Sequence, residues 1–363
     1  MESQVYKDML DVMTKRGGPL AGMDIPEFYA LVQELFTPEE AELNNALPRN
    51  PVTAAEIAKE KGKNEAEVTA LLEGMANKGL CVAFHSEGKT YYQAAAFMPG
   101  IFEFQFMGGK ATGREKKIAR LIHEYKQAYN AVKGHQPISF PLSRVISVDR
   151  KISVRNAVHT YDQVATYISK YDPVCVGSCY CRHEAMLRGE DVHGMPIETC
   201  MWFGERAQFA AERLGGRRVS KEEAMKILDG AEEAGLVHMS RNTTEEIDFL
   251  CNCDRWHCGV IQLVLKQPKP GLVFNSGFRP KFDPERCTAC EICVDRCPPA
   301  ALKMGEENVP VVNLDRCFGC AMCAAGCEQE AIVMEPKPGF PEPPKTTKDL
   351  VTAIKASAAR PSA

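Results

Sequence analysis

Two runs of cysteines near the end of the chain constrain its fold more than any other feature of the sequence. Residues 287–297 carry four cysteines at the spacing C-x2-C-x2-C-x3-C, and residues 317–327 repeat that spacing thirty residues later. The repeat extends beyond the cysteines, because Ala301-Leu302 follows the first run as Ala331-Ile332 follows the second. The halves of this duplicated segment are therefore expected to be related by pseudo-two-fold symmetry.

The spacing within each run suits a four-iron cluster. Three cysteines separated by two residues lie on a tight loop that wraps one corner of a 4Fe–4S cube, and the fourth ligates the other cluster. Zinc also binds paired cysteines, but zinc sites do not repeat a four-cysteine run at this interval. The sequence therefore predicts two 4Fe–4S clusters, one held by Cys287, Cys290, Cys293 and Cys327 and the other by Cys317, Cys320, Cys323 and Cys297.

Residues 279–336 resemble bacterial-type two-cluster ferredoxins, through both runs and the Pro298 that follows the first. The resemblance implies a ferredoxin-like fold and one-electron transfer at low potential between two neighbouring clusters. The second run departs from the family pattern, because Glu328 stands where a proline is usual. That proline is a packing residue and not a ligand, so cluster binding is still expected, with a slightly lower potential beside the carboxylate.

Composition and charge exclude several classes of protein. The chain has 363 residues, 16 cysteines and a net charge of −4. Its start lacks the basic and apolar regions of a signal peptide, and no apolar run approaches the ~20 residues that span a bilayer. We therefore expect a cytoplasmic protein without membrane insertion, in a reducing compartment where thiols favour metal ligation over disulfides.

A second, less regular group of cysteines lies between residues 175 and 258. It resembles the middle part of larger ferredoxin-domain proteins from anaerobic bacteria and archaea through three stretches: Cys179-Tyr180-Cys181-Arg182, Glu198-Thr199-Cys200 and Cys251-Asn252-Cys253. We expect these cysteines to lie mainly in loops and at helix starts. They predict a third metal site, an Fe–S cluster in preference to zinc, with ligands drawn from Cys179, Cys181, Cys200, Cys251, Cys253 and Cys258.

The remaining cysteines and the basic neighbours of the middle group have less specific roles. Cys81 and Cys175 lie among apolar residues and are expected to be core thiols. The basic residues beside the middle cysteines are Arg182, His183, Arg255 and His257. They could stabilise a cluster, form a substrate pocket or simply be exposed, and the sequence leaves these alternatives open.

The N-terminal residues predict three short helices and a β-hairpin. Capping patterns begin at Thr37, Thr53 and Asn64, and the hairpin turn falls at residues 86–89. Residues 32–100 therefore resemble a winged helix-turn-helix. The expected recognition helix, residues 65–78, carries three glutamates against one lysine. DNA phosphates need Lys or Arg, so a protein-docking module is the favoured interpretation and DNA binding is not expected.

Taken together, the patterns predict an α+β multidomain chain. Residues 1–113 form the winged-helix-like domain, 114–278 a mixed α/β cysteine-rich domain, 279–336 the ferredoxin-like dicluster domain and 337–363 a proline-rich basic tail. Within the second domain we expect a helix at 114–134, whose apolar stripe is Ile118, Leu121, Ile122 and Tyr125. We also expect a strand over residues 143–148, a helix at 161–171 and a helix capped by Ser220.

These features predict an iron–sulfur electron-transfer protein or subunit that exchanges electrons with a redox partner protein. No catalytic residue is assigned, and no Gly-x-Gly-x-x-Gly motif indicates a nucleotide-binding domain. Two alternatives remain: a redox-sensing winged-helix transcriptional regulator, and a small reductase with its active site at the middle cysteines. The sequence leaves open the partner, the direction of electron flow, the potentials and the oligomeric state.

Overall fold

The computed structural model describes residues 3–18, 20–134, 137–147 and 164–358. The chain forms two compact units that are discontinuous in sequence. The first unit comprises residues 1–135, 177–192 and 207–218, and the second comprises residues 136–176, 193–206 and 219–363. Both helices and strands are present, as the sequence predicted.

The helices of the described residues are α1 (Gln4–Arg16), α2 (Pro26–Leu35), α3 (Pro38–Ala46), α4 (Ala54–Lys61), α5 (Glu65–Asn77), α6 (Ile101–Phe104), α7 (Gly113–Lys133), α8 (Val164–Lys170), α9 (Tyr180–Leu187), α10 (Glu205–Arg213), α11 (Lys221–Glu233), α12 (Gly259–Leu265), α13 (Pro270–Val273), α14 (Ile292–Asp295), α15 (Met322–Ala325) and α16 (Thr347–Ala358).

The strands of the described residues are β1 (Val52–Thr53), β2 (Cys81–Ser86), β3 (Lys89–Ala94), β4 (Ser143–Val145), β5 (Val174–Ser178), β6 (Glu198–Phe203), β7 (Arg217–Val219), β8 (Val237–Arg241), β9 (Phe249–Cys253), β10 (Phe278–Phe282), β11 (Leu302–Met304), β12 (Pro310–Val312) and β13 (Ile332–Pro336).

The predicted helix starts of the first unit are confirmed. The Thr37 and Thr53 side chains each accept a hydrogen bond from the backbone three residues on, completing capping boxes with Glu40 and Glu56. Asn64 caps α5, whose buried face includes Val68, Leu72 and Met75. β1, β3 and β2 follow in that order in an antiparallel sheet, with β2 and β3 joined by the predicted hairpin.

Helix α7 contributes to the same unit through one apolar face. Ile118, Leu121, Ile122 and Tyr125 are all buried, which confirms the predicted stripe. Among them, the Tyr125 ring contacts Phe28 and Phe97 at centroid distances of 6.1 and 5.9 Å. These aromatic contacts fix the long helix against the N-terminal elements.

Glu103 gives the first unit a testable pH dependence. Burial raises the pKa of its carboxyl to about 7 from 4.5, although the Gly100 N–H donates to it at 2.7 Å and opposes the shift. The folded state therefore holds a proton that the unfolded state releases, so this contribution to stability is present below pH 4.5 and is lost as the pH rises to 7. Glu103→Gln should therefore raise the free energy of unfolding at pH 8 by about 1–3 kcal/mol relative to the wild type.

Urea unfolding of the variant and the wild type between pH 5 and pH 8 measures this effect. Glu115→Gln is the control whose effect should not vary in this range. Burial raises the pKa of Glu115, but hydrogen bonds from Thr112 outweigh burial and hold it below the ordinary value of 4.5. Its contribution to stability is lost only as the pH falls below that value, so its substitution should cost nearly the same at pH 5 and at pH 8. A Glu103→Gln effect that is the same at both pH values would contradict the assignment.

The second unit contains most of a six-stranded sheet with the strand order β4-β8-β9-β6-β5-β7. β8 and β6 both pair antiparallel with β9. The predicted strand from Ser143 ends at Val145 and is shorter than expected, and residues 148–163 lie outside the described ranges. The predicted helix at 161–171 is described from Val164 to Lys170, and Ser220 caps α11 as expected.

The duplicated segment lies in the second unit. β10 pairs with β13 and β11 pairs with β12, both antiparallel, so each half contributes one strand to each pair. The short helices α14 and α15 occupy equivalent places, and each contains the third cysteine of its run. Beyond this segment α16 packs through Leu350, which is buried. Among the described residues no helix is both long and apolar enough to cross a membrane.

Candidate metal centre

The two cysteine loops, residues 287–293 and 317–323, share an unusual backbone. Ala289 and Gly319 have φ values of 55° and 68°, and Glu291 and Ala321 have φ values of 62° and 66°. Left-handed residues at these matched positions curl each loop inward, so that backbone N–H groups form a concave, anion-binding surface. At Gly319 a Cβ atom would lie 2.4 Å from the Phe278 carbonyl oxygen, so glycine is required there.

Each loop lines a cavity together with the last cysteine of the other run. The first cavity is lined by Cys287, Cys290, Cys293 and Cys327. The second is lined by Cys317, Cys320, Cys323 and Cys297. The eight cysteines thus line two cavities, with four in each.

The walls of both cavities suit an iron–sulfur cluster. Phe282, Met304 and Ile332 form apolar walls of the first cavity, and Phe318 and Met334 form apolar walls of the second. A bound cluster therefore lies in a low-dielectric setting, where hydrogen bonds to its sulfur atoms are strengthened.

Backbone N–H groups also point at the ligand sulfurs. The Ala301 N–H donates to Cys297 Sγ at 3.2 Å, and the Ala331 N–H donates to Cys327 Sγ at 3.4 Å. These bonds occupy matched positions in the two halves and stabilise thiolate charge. Burial raises the pKa of Cys293 and of Cys317 to about 11 each. The free thiols therefore keep their protons at neutral pH, and metal binding must displace them.

The six candidate cysteines of the middle group fall into two sets. Cys179 and Cys181 lie at the start of α9, in the first unit. The other four lie in the second unit. Cys200 is in β6, Cys251 and Cys253 are in β9, and Cys258 is the N-cap of α12. The expectation that the middle cysteines lie mainly in loops and at helix starts is wrong for the strand residues Cys175, Cys200, Cys251 and Cys253.

The four thiols of the second unit are neighbours. Cys251 and Cys253 point to the same face because they are two positions apart on a strand. The hydrogen bond with Cys200 raises the pKa of the Cys251 thiol, a hydrogen bond with Cys253 lowers it, and burial and Cys258 raise it further. Cys251 therefore contacts Cys200 and Cys253 and lies near Cys258, and we name these four residues the middle thiols.

A tight turn after β9 positions Cys258, the last of these thiols in the sequence. Asp254 is buried, and its Oδ1 accepts hydrogen bonds from the backbone N–H groups of Trp256 and His257 at 2.7 and 2.6 Å. This turn reverses the chain into α12, with Cys258 at its N-cap. His257 Nδ1 lies 3.3 Å from the same carboxylate oxygen.

Sequence reasoning missed a buried network of polar side chains on the other face of β9. His238 Nδ1 lies 2.6 Å from Asn252 Oδ1, and its Nε2 lies 3.1 Å from Glu232 Oε1. Asn252 Nδ2 in turn donates to the Thr199 carbonyl oxygen at 2.6 Å. This network connects residues that neighbour Cys200, Cys251 and Cys253 in the sequence. Its members are far apart in sequence and follow no motif that could reveal them.

The other residues singled out in the sequence have clear surroundings. Cys81 and Cys175 are fully buried, and burial raises the pKa of the Cys81 thiol to about 12. His183 is buried, and its Nε2 lies 2.9 Å from the Lys110 carbonyl oxygen. Arg182 is also buried, and the Arg255 guanidinium lies 6.0 Å from the Trp256 ring centroid.

The described residues contain no site arranged around a single metal ion. Among them, no group of three or more His, Cys, Asp or Glu side chains is arranged to hold a metal ion. This includes the eight cysteines of the two cavities. Thiolates around a four-iron cube bind different irons, so they lie further apart than the ligands of one ion.

Comparison with known families bears on the duplicated segment. Residues 279–328 match the family model of the 4Fe–4S dicluster domain. The chain therefore carries a 4Fe–4S dicluster domain near its C-terminus, which confirms that part of the sequence prediction. No curated protein matches the chain.

Proposed function

We propose that the chain is an iron–sulfur electron-transfer protein or subunit, which passes single low-potential electrons to or from a partner oxidoreductase. The dicluster match over residues 279–328 carries this proposal. The two cavities support it, because each is lined by four cysteines with apolar walls.

The cavity linings support the following assignment of cluster ligands in this proposal. Cys287, Cys290, Cys293 and Cys327 hold one cluster, and the other is held by Cys317, Cys320, Cys323 and Cys297. Each bound cluster supplies a one-electron redox centre. The protein keeps water away through its apolar walls and stabilises the thiolates through donors such as the Ala301 and Ala331 N–H groups.

A third Fe–S cluster at the middle thiols extends this proposal. Their mutual contacts support Cys200, Cys251, Cys253 and Cys258 as its ligands, in preference to Cys179 and Cys181 of the first unit. Zinc is the alternative metal, because four thiolates suit it as well.

The N-terminal elements form a winged-helix-like docking module in this proposal. α3, α4, α5 and the sheet β1-β3-β2 have the order of such a fold. Glu73 of α5 accepts hydrogen bonds from Tyr92 and Arg213 at 2.6 Å each, so part of this helix contacts its own unit. Glu65 and Glu67 are exposed at its start and would repel DNA phosphates. These contacts favour protein docking over the transcriptional regulator.

Electron paramagnetic resonance tests the proposed function. The anaerobically purified protein, reduced with dithionite, should show the spin-coupled signals of two neighbouring reduced 4Fe–4S clusters. Reoxidation should abolish these signals, and a second reduction should restore them. Cys81→Ser is the matched control, because Cys81 is a buried thiol outside both cavities and should leave the signals unchanged. A reduced protein without such signals would overturn the proposal.

A further inference from the structure

The two cysteine loops repeat in sequence but differ sharply in exposure. In the first loop Thr288, Cys290, Glu291 and Ile292 are exposed, and only Cys293 is buried. In the second loop, residues 318–323 are all buried. The duplicated halves therefore place one cluster site at the surface and the other in the interior.

The segment just before the duplicated unit causes this difference. The Gly271 N–H donates to the Asp315 carbonyl oxygen at 2.7 Å, and Asn275 Nδ2 donates to the Cys317 carbonyl oxygen at 2.6 Å. Ser276 Oγ donates to the Gly319 carbonyl oxygen at 2.7 Å. A Cβ on Gly271 would lie 2.5 Å from the Cys317 oxygen, so glycine permits this close approach. Residues 270–278 thus cover the second loop.

The covered site shares its surroundings with the middle thiols. Cys253 and Cys258 belong to the same hydrophobic core as cysteines of both sites, namely Cys293, Cys297, Cys320 and Cys323. Arg255 lies close enough to Cys297 for its charge to oppose the rise that burial causes in the pKa of that thiol. Because Arg255 stands between Cys253 and Cys258 in the sequence, the segment that carries these two middle thiols lies next to Cys297 of the second site.

The open site carries a distinct charge. Glu291 and Glu328 line the first cavity and are both exposed, whereas no lysine or arginine belongs to its described lining. Ile292, 40 % exposed, adds an apolar contact at the same rim. Such a surface complements a partner whose contact face is positively charged.

We infer that electrons enter or leave the protein at the open site, through a redox protein with a basic contact face that docks over Glu291 and Glu328. The covered site is the internal relay between the open site and the middle thiols. This assignment deepens the proposed electron-transfer function and depends on it. Electron tunnelling falls steeply with distance, so an external protein reaches the exposed cluster far more readily than the covered one.

Reduction of cytochrome c, a basic one-electron acceptor, tests the docking face. The dithionite-reduced full chain is mixed with cytochrome c in a stopped-flow instrument at low and high ionic strength. The Glu291→Lys/Glu328→Lys variant should react about tenfold more slowly than wild type at low salt, with a weaker salt dependence. The Glu291→Gln/Glu328→Gln variant should fall between them. Asp11→Lys/Glu124→Lys makes the same charge change at exposed sites of the first unit and should match wild type.

Iron content and the reduced-state spectrum of every variant separate the possible failures. Wild-type protein without cluster signals would overturn the electron-transfer function itself. Intact clusters with equal rates in the Glu291→Lys/Glu328→Lys variant and the Asp11→Lys/Glu124→Lys variant would overturn the docking assignment alone.

A dysprosium–EDTA complex tests the difference in exposure. This soluble paramagnet should enhance the spin relaxation of one reduced cluster much more than that of the other. The sensitive signal should be the one lost in Cys290→Ser, because Cys290 belongs to the exposed loop. Equal relaxation of both clusters would contradict the assignment.

Discussion

Replacing Cys320 with serine is expected to remove about four iron atoms per chain, since a 4Fe–4S cluster needs all of its ligands. The effect on stability should be large as well. Cys320 is 7 % exposed and belongs to the hydrophobic core of the second unit. Loss of the cluster leaves an unfilled apolar cavity among packed side chains. We expect the free energy of unfolding to fall on the order of 2–5 kcal/mol, as for a buried large-to-small substitution.

Cys290→Ser is the informative comparison for this variant. It removes the equivalent ligand of the other cluster, but Cys290 lies on the exposed loop. The iron loss should be the same, about four atoms, while the loss of stability should be clearly smaller. Iron analysis and urea unfolding under anaerobic conditions measure both quantities. Full iron content in Cys320→Ser would remove this residue from the ligand set.

Replacing Cys251 with serine is expected to lower the iron content from about twelve to about eight atoms per chain. Cys251 contacts Cys200 and Cys253 and lies near Cys258, so it is central among the middle thiols. The signals of the two clusters in the dicluster domain should remain, because their ligands are untouched.

Cys175→Ser provides the matched control. Cys175 is a fully buried thiol in β5 and has the same sulfur-to-oxygen change. It should keep all of its iron even if it lowers stability. Equal iron content in Cys251→Ser and wild type would show that the middle thiols hold no cluster, and stoichiometric zinc lost from Cys251→Ser would assign them to zinc.

Local sequence signals account for much of the fold. The capping residues Thr37, Thr53 and Asn64 begin helices where they were predicted, because side-chain caps act within one helical turn. The stripe on α7 is buried as expected, since helical periodicity places its apolar residues on one face. The doubled cysteine spacing likewise predicted a dicluster segment, since cluster ligation fixes the ligand positions along a loop.

Other features depend on contacts between distant parts of the chain. The contact between Cys200 and Cys251 comes from the pairing of β6 with β9, which no local pattern encodes. The difference between the two cysteine loops comes from residues 270–278, whose Asn275 and Ser276 follow no motif. The hydrogen-bond network of Glu232, His238 and Asn252 likewise forms only once β8 and β9 pair in the correct register.

Iron and acid-labile sulfide per chain, measured after anaerobic purification, test the central claim most directly. Three 4Fe–4S clusters predict about twelve atoms of each, and the two clusters of the dicluster domain alone predict about eight. About eight of each with one zinc atom would assign the middle thiols to zinc and leave the electron-transfer proposal standing. Iron well below eight without acid-labile sulfide, in protein that is folded and kept free of oxygen, would contradict it.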